Sequence, residues 1–218
     1  MHVLAIVSQK GGTGKSTLAF SLAVAAEEQG LKTSIIDIDP QGTTKKWYSR
    51  REAETGPEVN ALSVNQLEAA MPLLRKQGVQ LVIIDTPGAD VPGVPAAIQL
   101  ADLCLIPARP SVADIEASAP TVSAIHRLGK PFSYVLNQCP PGRSIRTSDA
   151  FRVLQLSGAV ANTPLAMRAD HMDALATGQG VTERDPNSKA AGEIRELLTW
   201  TLNRMEGKPH GQKQTRVA

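Results

Sequence analysis

Eight residues near the start of the chain, Lys10-Gly11-Gly12-Thr13-Gly14-Lys15-Ser16-Thr17, have the types and order needed to hold a phosphate. The glycines let the backbone bend around an anion and turn several N–H groups toward it, where a Cβ would obstruct. Lys15 supplies a point charge for the outer phosphates, and the Ser16 hydroxyl is of the kind that ligates Mg2+. The helix expected after Thr17 adds its positive end. A strict phosphate-loop pattern also asks for glycine at position 9, where this chain has Gln9. Lys10 is needed for none of this.

Carboxylates follow at the ends of apolar runs. Asp85, in Ile83-Ile84-Asp85-Thr86-Pro87-Gly88, should emerge at the carboxyl edge of a sheet and hold a water on magnesium. The alternative is an ordinary turn former. Gly88 offers an unobstructed N–H that can respond to a terminal phosphate. Asp37 and Asp39, in Asp37-Ile38-Asp39-Pro40-Gln41-Gly42, are expected to point to opposite faces and so to do different jobs. Capping of a helix opening near Gly42 is the other reading for one of them. Asn137 closes a later run, and its amide suits an adenine edge, unless it serves an Asx-turn before Pro140-Pro141. The lysine and aspartate of a guanine-reading signature are absent after Asn137, which favours ATP over GTP.

These residues need a scaffold that brings strand ends together. Apolar runs at His2–Ser8, Thr33–Asp39, Val79–Asp85, Asp102–Pro107 and Pro131–Asn137 read as strands. Helical patterns lie at Ser16–Gln29, Gln41–Ala53, Asn65–Gln77, Ser111–Leu128, Thr147–Leu156 and Ser188–Met205. Pro72 and Pro120 should kink two of these or delay their start. Continuous apolar strands separated by helices predict an α/β fold, a mostly parallel sheet covered by helices on both faces.

Bulk properties agree. The 218 residues suffice for one domain, read as 1–206, followed by a polar, basic tail at 207–218 that is expected to be disordered. Only 3% of residues are aromatic, so the core must rest on Val, Ile, Leu and Ala. A net charge of +2 draws no nucleic acid by itself, so any such binding needs a local patch. Cys104 and Cys139 have no metal-type spacing and fit a reducing cytoplasm. No run approaches the roughly 20 residues of a membrane span.

Lys10–Thr17, the Asp37–Gly42 segment and the Ile83–Gly88 segment stand in the order and spacing of the ParA/MinD superfamily of deviant Walker A ATPases. The Asp-x-Asp-Pro-Gln-Gly segment resembles its ParA branch, and the resemblance covers residues 1–206. It implies an ATPase with ATP/ADP and Mg2+ as cofactors. Gly11, Gly12, Thr13, Gly14, Lys15, Ser16 and Thr17 would bind nucleotide, with Asn137 at the base. Ser16, Asp37 and Asp85 would serve the metal. Asp39 would orient the attacking water, beside Lys15 and Lys10 in catalysis. By the same resemblance, Lys10 would reach across a homodimer to the partner's ATP. Pro107-Ala108-Arg109-Pro110-Ser111, with Asp114, resembles the interface segment but reads equally as a stiff turn.

The implied activity is partition of plasmid or chromosomal DNA with a centromere-binding ParB-type adaptor. Non-specific DNA would be bound by the ATP dimer, making the protein cytoplasmic and nucleoid-associated. Positioning of a protein cargo, a chemoreceptor array or microcompartment, is the alternative. Arg168, Lys189, Arg195 and Arg204, with Arg143 and Arg146, are the candidate DNA contacts. The loop lies close to Met1, so no sequence-specific DNA-binding domain is expected before it, and Gly207–Ala218 is too polar for a membrane helix. Cys104 and Cys139 do not match the cluster site of the superfamily's iron–sulfur members.

Overall fold

A computed structural model describes residues 1–89 and 91–207; the tail from 208 to 218, whose expected disorder was noted above, lies outside the described residues. The strands are β1 His2–Ile6, β2 Thr33–Asp37, β3 Glu58–Ala61, β4 Leu81–Asp85, β5 Leu103–Ala108, β6 Phe132–Leu136 and β7 Ala159–Val160. The first helices are α1 Lys15–Glu28, α2 Thr43–Tyr48, α3 Val64–Lys76, α4 Gly93–Leu100 and α5 Val112–Glu116. After them come α6 Ala119–Arg127, α7 Ile145–Gln155, α8 Ala169–Thr177, α9 Val181–Arg184 and α10 Lys189–Met205.

The seven strands form one sheet in the order β3-β2-β4-β1-β5-β6-β7, and every pairing within it is parallel. The chain leaves β1 toward one edge for β2 and β3, comes back to β4, then crosses to β5 on the other flank. The loop after β1 therefore opens into the crevice where the winding reverses, the usual ligand position in such sheets. Register does the rest. Ile6 pairs with Asp85, and Asp85 with Asp37, so the loop's root and two carboxylates share one rung at the carboxyl edge.

Strand residues alternate between two apolar layers. Val3, Ala5, Val82 and Ile84 face one core, beneath α3, α4, α6 and α7; Leu4, Ile6, Leu81 and Ile83 face the other. Both faces are covered, which is why the runs read as continuous rather than alternating. The middle of helix α1 packs into the second core. Residues Leu18 to Ala26 are all buried, so the helix behind the phosphate loop has no polar face to slide on. Trp47 of α2 stacks on Phe20 of α1 with ring centroids 4.8 Å apart, and its indole N–H donates to the Gln179 carbonyl at 3.0 Å.

Several expected elements change. The helix expected over Gln41–Ala53 shortens to Thr43–Tyr48, because Gly42 turns left-handed at φ 60 just before it. The helix expected over Ser111–Leu128 divides into α5 and α6, with Pro120 in the first turn of the latter. Pro72, by contrast, sits inside a continuous α3. Strands β3 and β7, and helices α4, α8 and α9, were not expected. β3 is half-exposed and polar, β7 has two residues, and α4 opens in a Gly- and Pro-rich stretch that reads as a turn.

Two glycines test this packing. A Cβ on Gly178, itself at φ +67, would lie 2.5 Å from the backbone of Arg50 and Arg51, whereas one on Gly192 in α10 would meet nothing within 4 Å. Denaturant unfolding should show Gly178→Ala destabilised by about 2 kcal/mol or more, and Gly192→Ala stabilised by about 0.5–1 kcal/mol.

Candidate phosphate and nucleotide site

The phosphate loop is shaped by its glycines and clamped from behind. Gly12 and Gly14 adopt left-handed conformations, φ 74 and φ 90, which L side chains rarely take. A Cβ on Gly14 would also sit 2.4 Å from Asn137 Nδ2. Asn137 donates that nitrogen to the Thr13 carbonyl at 2.7 Å, and Gln138 donates Nε2 to the Gly12 carbonyl at 2.9 Å. Gln138 itself is left-handed, φ 52, alone among the described non-glycine residues. Two successive amides thus hold two successive loop carbonyls outward, which leaves the loop N–H groups to face the cavity.

That cavity is lined by Gly11, Gly12, Lys15, Ser16, Asp39 and Gly88, among others. Lys15 is buried and rests its ammonium on the Lys10 carbonyl at 3.2 Å. Burial holds its pKa below the ordinary lysine value, opposed by the charges of Asp85 and Asp39. Gly88 packs so closely that a Cβ there would meet the Gly11 backbone at 2.9 Å and the Lys15 ammonium at 3.1 Å. Loop, lysine and Gly88 therefore touch one another around one space.

Asp85 is fully buried. Its Oδ2 accepts from the Thr44 hydroxyl at 2.7 Å, and its Oδ1 has no hydrogen-bond partner. Burial pushes its pKa up to about 7, with the Thr44 and Ser16 hydroxyls drawing it down, Asp37 raising it and Lys15 lowering it. A buried carboxylate oxygen without a partner, close to a serine hydroxyl, fits a hydrated Mg2+ held by Ser16 with a water on Asp85. Among the described residues no three His, Cys, Asp or Glu side chains cluster as a metal cage, so phosphate oxygens and water would complete such a shell.

The pair Asp37 and Asp39 needs a correction. Residues two apart on one strand share a face, so alternation cannot separate these side chains. They part because β2 ends at Asp37. Asp37 is buried and accepts the backbone N–H of Asp39 at 3.0 Å and of Lys45 at 2.9 Å, which ties down the first turn of α2. Burial raises its pKa, while these backbone donors oppose the rise. The capping alternative thus describes its observed bonds. Asp39 instead lies in the loop, its Oδ1 accepting from the Gln41 N–H at 2.9 Å, and it lines the phosphate cavity.

A second cavity adjoins the first, sharing Gly14 and Thr17 in its wall, and is lined by Leu18, Leu165, Met167, Leu175 and Ile194. Asn137 lines this second cavity, its Nδ2 donating to the Thr13 carbonyl and its Oδ1 accepting from the Gln138 N–H. Lys10 points elsewhere. Its ammonium lies 3.0 Å from Asp114, which also accepts from Arg109 Nε at 2.9 Å and Ser111 Oγ at 2.6 Å. Burial would raise the Asp114 pKa, yet the bonds from Ser111, Lys10 and Arg109 outweigh it and hold the carboxyl below its usual value.

Sequence reasoning missed Thr44 and Gln138. Thr44 follows the Asp37–Gly42 segment by two residues, a signal that was present; nothing in sequence marks Gln138 as left-handed. Of the basic candidates, Arg168 is paired with Glu193 at 2.6 Å, and Arg195 bonds to Glu28 and the Pro186 carbonyl, so both are committed within the fold. Arg143, Arg146, Lys189 and Arg204 are exposed.

A family profile described as an AAA domain matches residues 1–155. The chain belongs to this family, on the ParA branch of the ParA/MinD superfamily. This ParA-type chain is 34% identical over 133 residues to the maintenance of carboxysome distribution protein A of Gloeobacter kilaueensis, covering 60% of this chain and 58% of that one. It is 33% identical over 128 residues to protein ParA of Rhizobium radiobacter, covering 57% and 56%. It thus spans somewhat over half the length of these curated relatives. Its fold matches the septum site-determining protein MinD of Pyrococcus horikoshii, solved with Mg-ADP, at a TM-score of 0.75 and 17% identity over 94% of this chain and 97% of that one. No helix among the described residues is long and apolar enough to cross a membrane.

The orphaned carboxylate makes a pH prediction. Folding raises the Asp85 pKa from 3.8 to about 7, so its contribution to nucleotide-free stability is greatest below pH 3.8 and is lost as pH climbs toward 7. Thermal melts should show Asp85→Asn gaining on the wild type across that window, by on the order of 1–4 kcal/mol at pH 7. A difference that stays flat from pH 4 to 7 would refute the assignment.

Proposed function

We propose that this chain is an ATPase of the partition type, a homodimer when bound to ATP, which binds DNA without sequence preference and is reset by hydrolysis. The observation that carries the reading is the division of labour between two lysines. Lys15 serves the phosphate cavity from within one chain. Lys10 lies outside that cavity's lining, with its side chain 29% exposed beside Asp114 and Arg109. A cation held beside a phosphate site it does not itself line is suited to a phosphate on a second copy.

The adjoining cavities fit a nucleoside triphosphate lying across Gly14 and Thr17. Lys15 and the loop N–H groups would hold the β- and γ-phosphates, and Ser16 with Asp85 would hold the metal, Asp37 supporting that shell through the α2 turn it fixes. Bound Mg2+ would neutralise phosphate charge during transfer. Asp39, in the turn after β2 and in the wall of the phosphate cavity, would position the attacking water. Positioning rather than strong basicity is what phosphoryl transfer chiefly asks. Gly88, against both Gly11 and Lys15, would register loss of the terminal phosphate. A ParB-type adaptor would then act on the dimer.

The DNA role rests on Arg143, Arg146, Lys189 and Arg204, whose contacts a dimer would double. Similarity to the carboxysome distribution protein supports a second reading, in which the cargo is a protein assembly carried over the nucleoid. Both share the ATP-gated dimer.

Lys15→Ala should abolish ATP binding. Asp39→Ala should elute as a dimer with ATP in size-exclusion chromatography and turn over slowly; a monomer would count against the scheme. Electrophoretic shifts of non-specific DNA should require ATP and weaken by an order of magnitude or more between about 50 and 200 mM salt. An equal shift without nucleotide would remove the DNA role.

A further inference from the structure

The hydroxyl of Thr44 is spent in an unusual place for a helical threonine. Thr44 is second in α2, and in a helix such a hydroxyl commonly turns back to a carbonyl of the preceding turn. Here it donates to Asp85 Oδ2 at 2.7 Å, across 41 positions of sequence, and both residues are fully buried. A bond this short to a carboxylate is of the charge-assisted kind. Branching at Cβ limits the rotamers of Thr44, so the direction of its hydroxyl follows from the helix that carries it.

That helix is itself pinned. The Lys45 N–H, next in the chain, donates to Asp37 Oδ2 at 2.9 Å, and Asp37 lies beside Asp85 in register. Trp47, three residues on from Thr44, is buried against Phe20. Thr44 therefore approaches Asp85 from a fixed point and decides which of its oxygens is engaged. Oδ2 is taken, and Oδ1 is left without a partner. A carboxylate bonded at neither oxygen would be free to turn about its Cβ–Cγ bond, and would hold a metal's water less well.

We propose, on the reading of Ser16 and Asp85 as the metal's holders, that Thr44 is a positioning residue for Mg2+. By engaging Oδ2 it leaves Oδ1 of Asp85 in a set direction for water on the metal. Outer partners of this kind are worth about 10- to 100-fold in metal affinity. Thr44 does not line the phosphate cavity, so nucleotide binding without metal should not need it.

Calorimetric titration of the full chain with ATP, in excess Mg2+ and in EDTA, gives two affinities whose ratio is the metal's contribution. Thr44→Val, of nearly the same shape, should lower that ratio by about tenfold and leave the EDTA affinity unchanged. Thr44→Ser keeps the hydroxyl and should keep the wild-type ratio. Thr44→Ala leaves room for a water against Oδ2, and carries the same test at a several-fold loss should the valine variant fail to fold. In an Asp85→Ala background, adding Thr44→Val should change nothing further. An unchanged ratio in Thr44→Val, an equal loss with and without metal, or a further loss in the Asp85→Ala background overturns the proposal and leaves the metal site standing. A wild type that binds ATP no better in Mg2+ than in EDTA overturns both.

Discussion

Everything at the site depends on β4 lying between β1 and β2 in matched register. Asp85 faces Ile6 on one side and Asp37 on the other, so the root of the phosphate loop and two carboxylates meet on one rung. Slipping any of these strands by one residue would turn its side chains into the opposite core. The apolar alternation between the two layers fixes that register far from the site, and the chemistry inherits it.

The same rung concentrates charge where water is scarce. Lys15, Asp37 and Asp85 are all buried, and burial works against the ionised form of each. Their mutual attraction and repulsion offset this only in part, and one oxygen of Asp85 is left bare. Such a site is poised rather than satisfied. An anion on the loop and a cation at Ser16 would complete what the fold leaves open, so ligand and fold share a single electrostatic problem.

Much of this was legible in the residues. The glycine spacing announced the loop, and Asp85 at the end of an apolar run announced the sheet edge. The division between Asp37 and Asp39 was foreseen for a mistaken reason, since strand alternation would have put them together and only the end of β2 separates them. Short elements were lost: β7 is two residues, and α4 begins among glycine and prolines whose local preference is for turns. Gln138 was invisible because its left-handed turn is set by where β6 ends against the phosphate loop, and no spacing in the chain encodes it.

The stack of Trp47 on Phe20 has a consequence of another kind. Helix α2 is held at its first turn by Asp37 and by the Thr44 bond to Asp85, and at its far end Trp47 lies flat on α1 with Arg51 above it. A single short helix thus joins the Asp85 carboxylate, through Thr44, to an indole ring packed on the loop's own helix. The indole's emission depends on that packing and on the guanidinium nearby. Of the chain's two indoles, this one therefore sits on a helix bonded directly to the phosphate site.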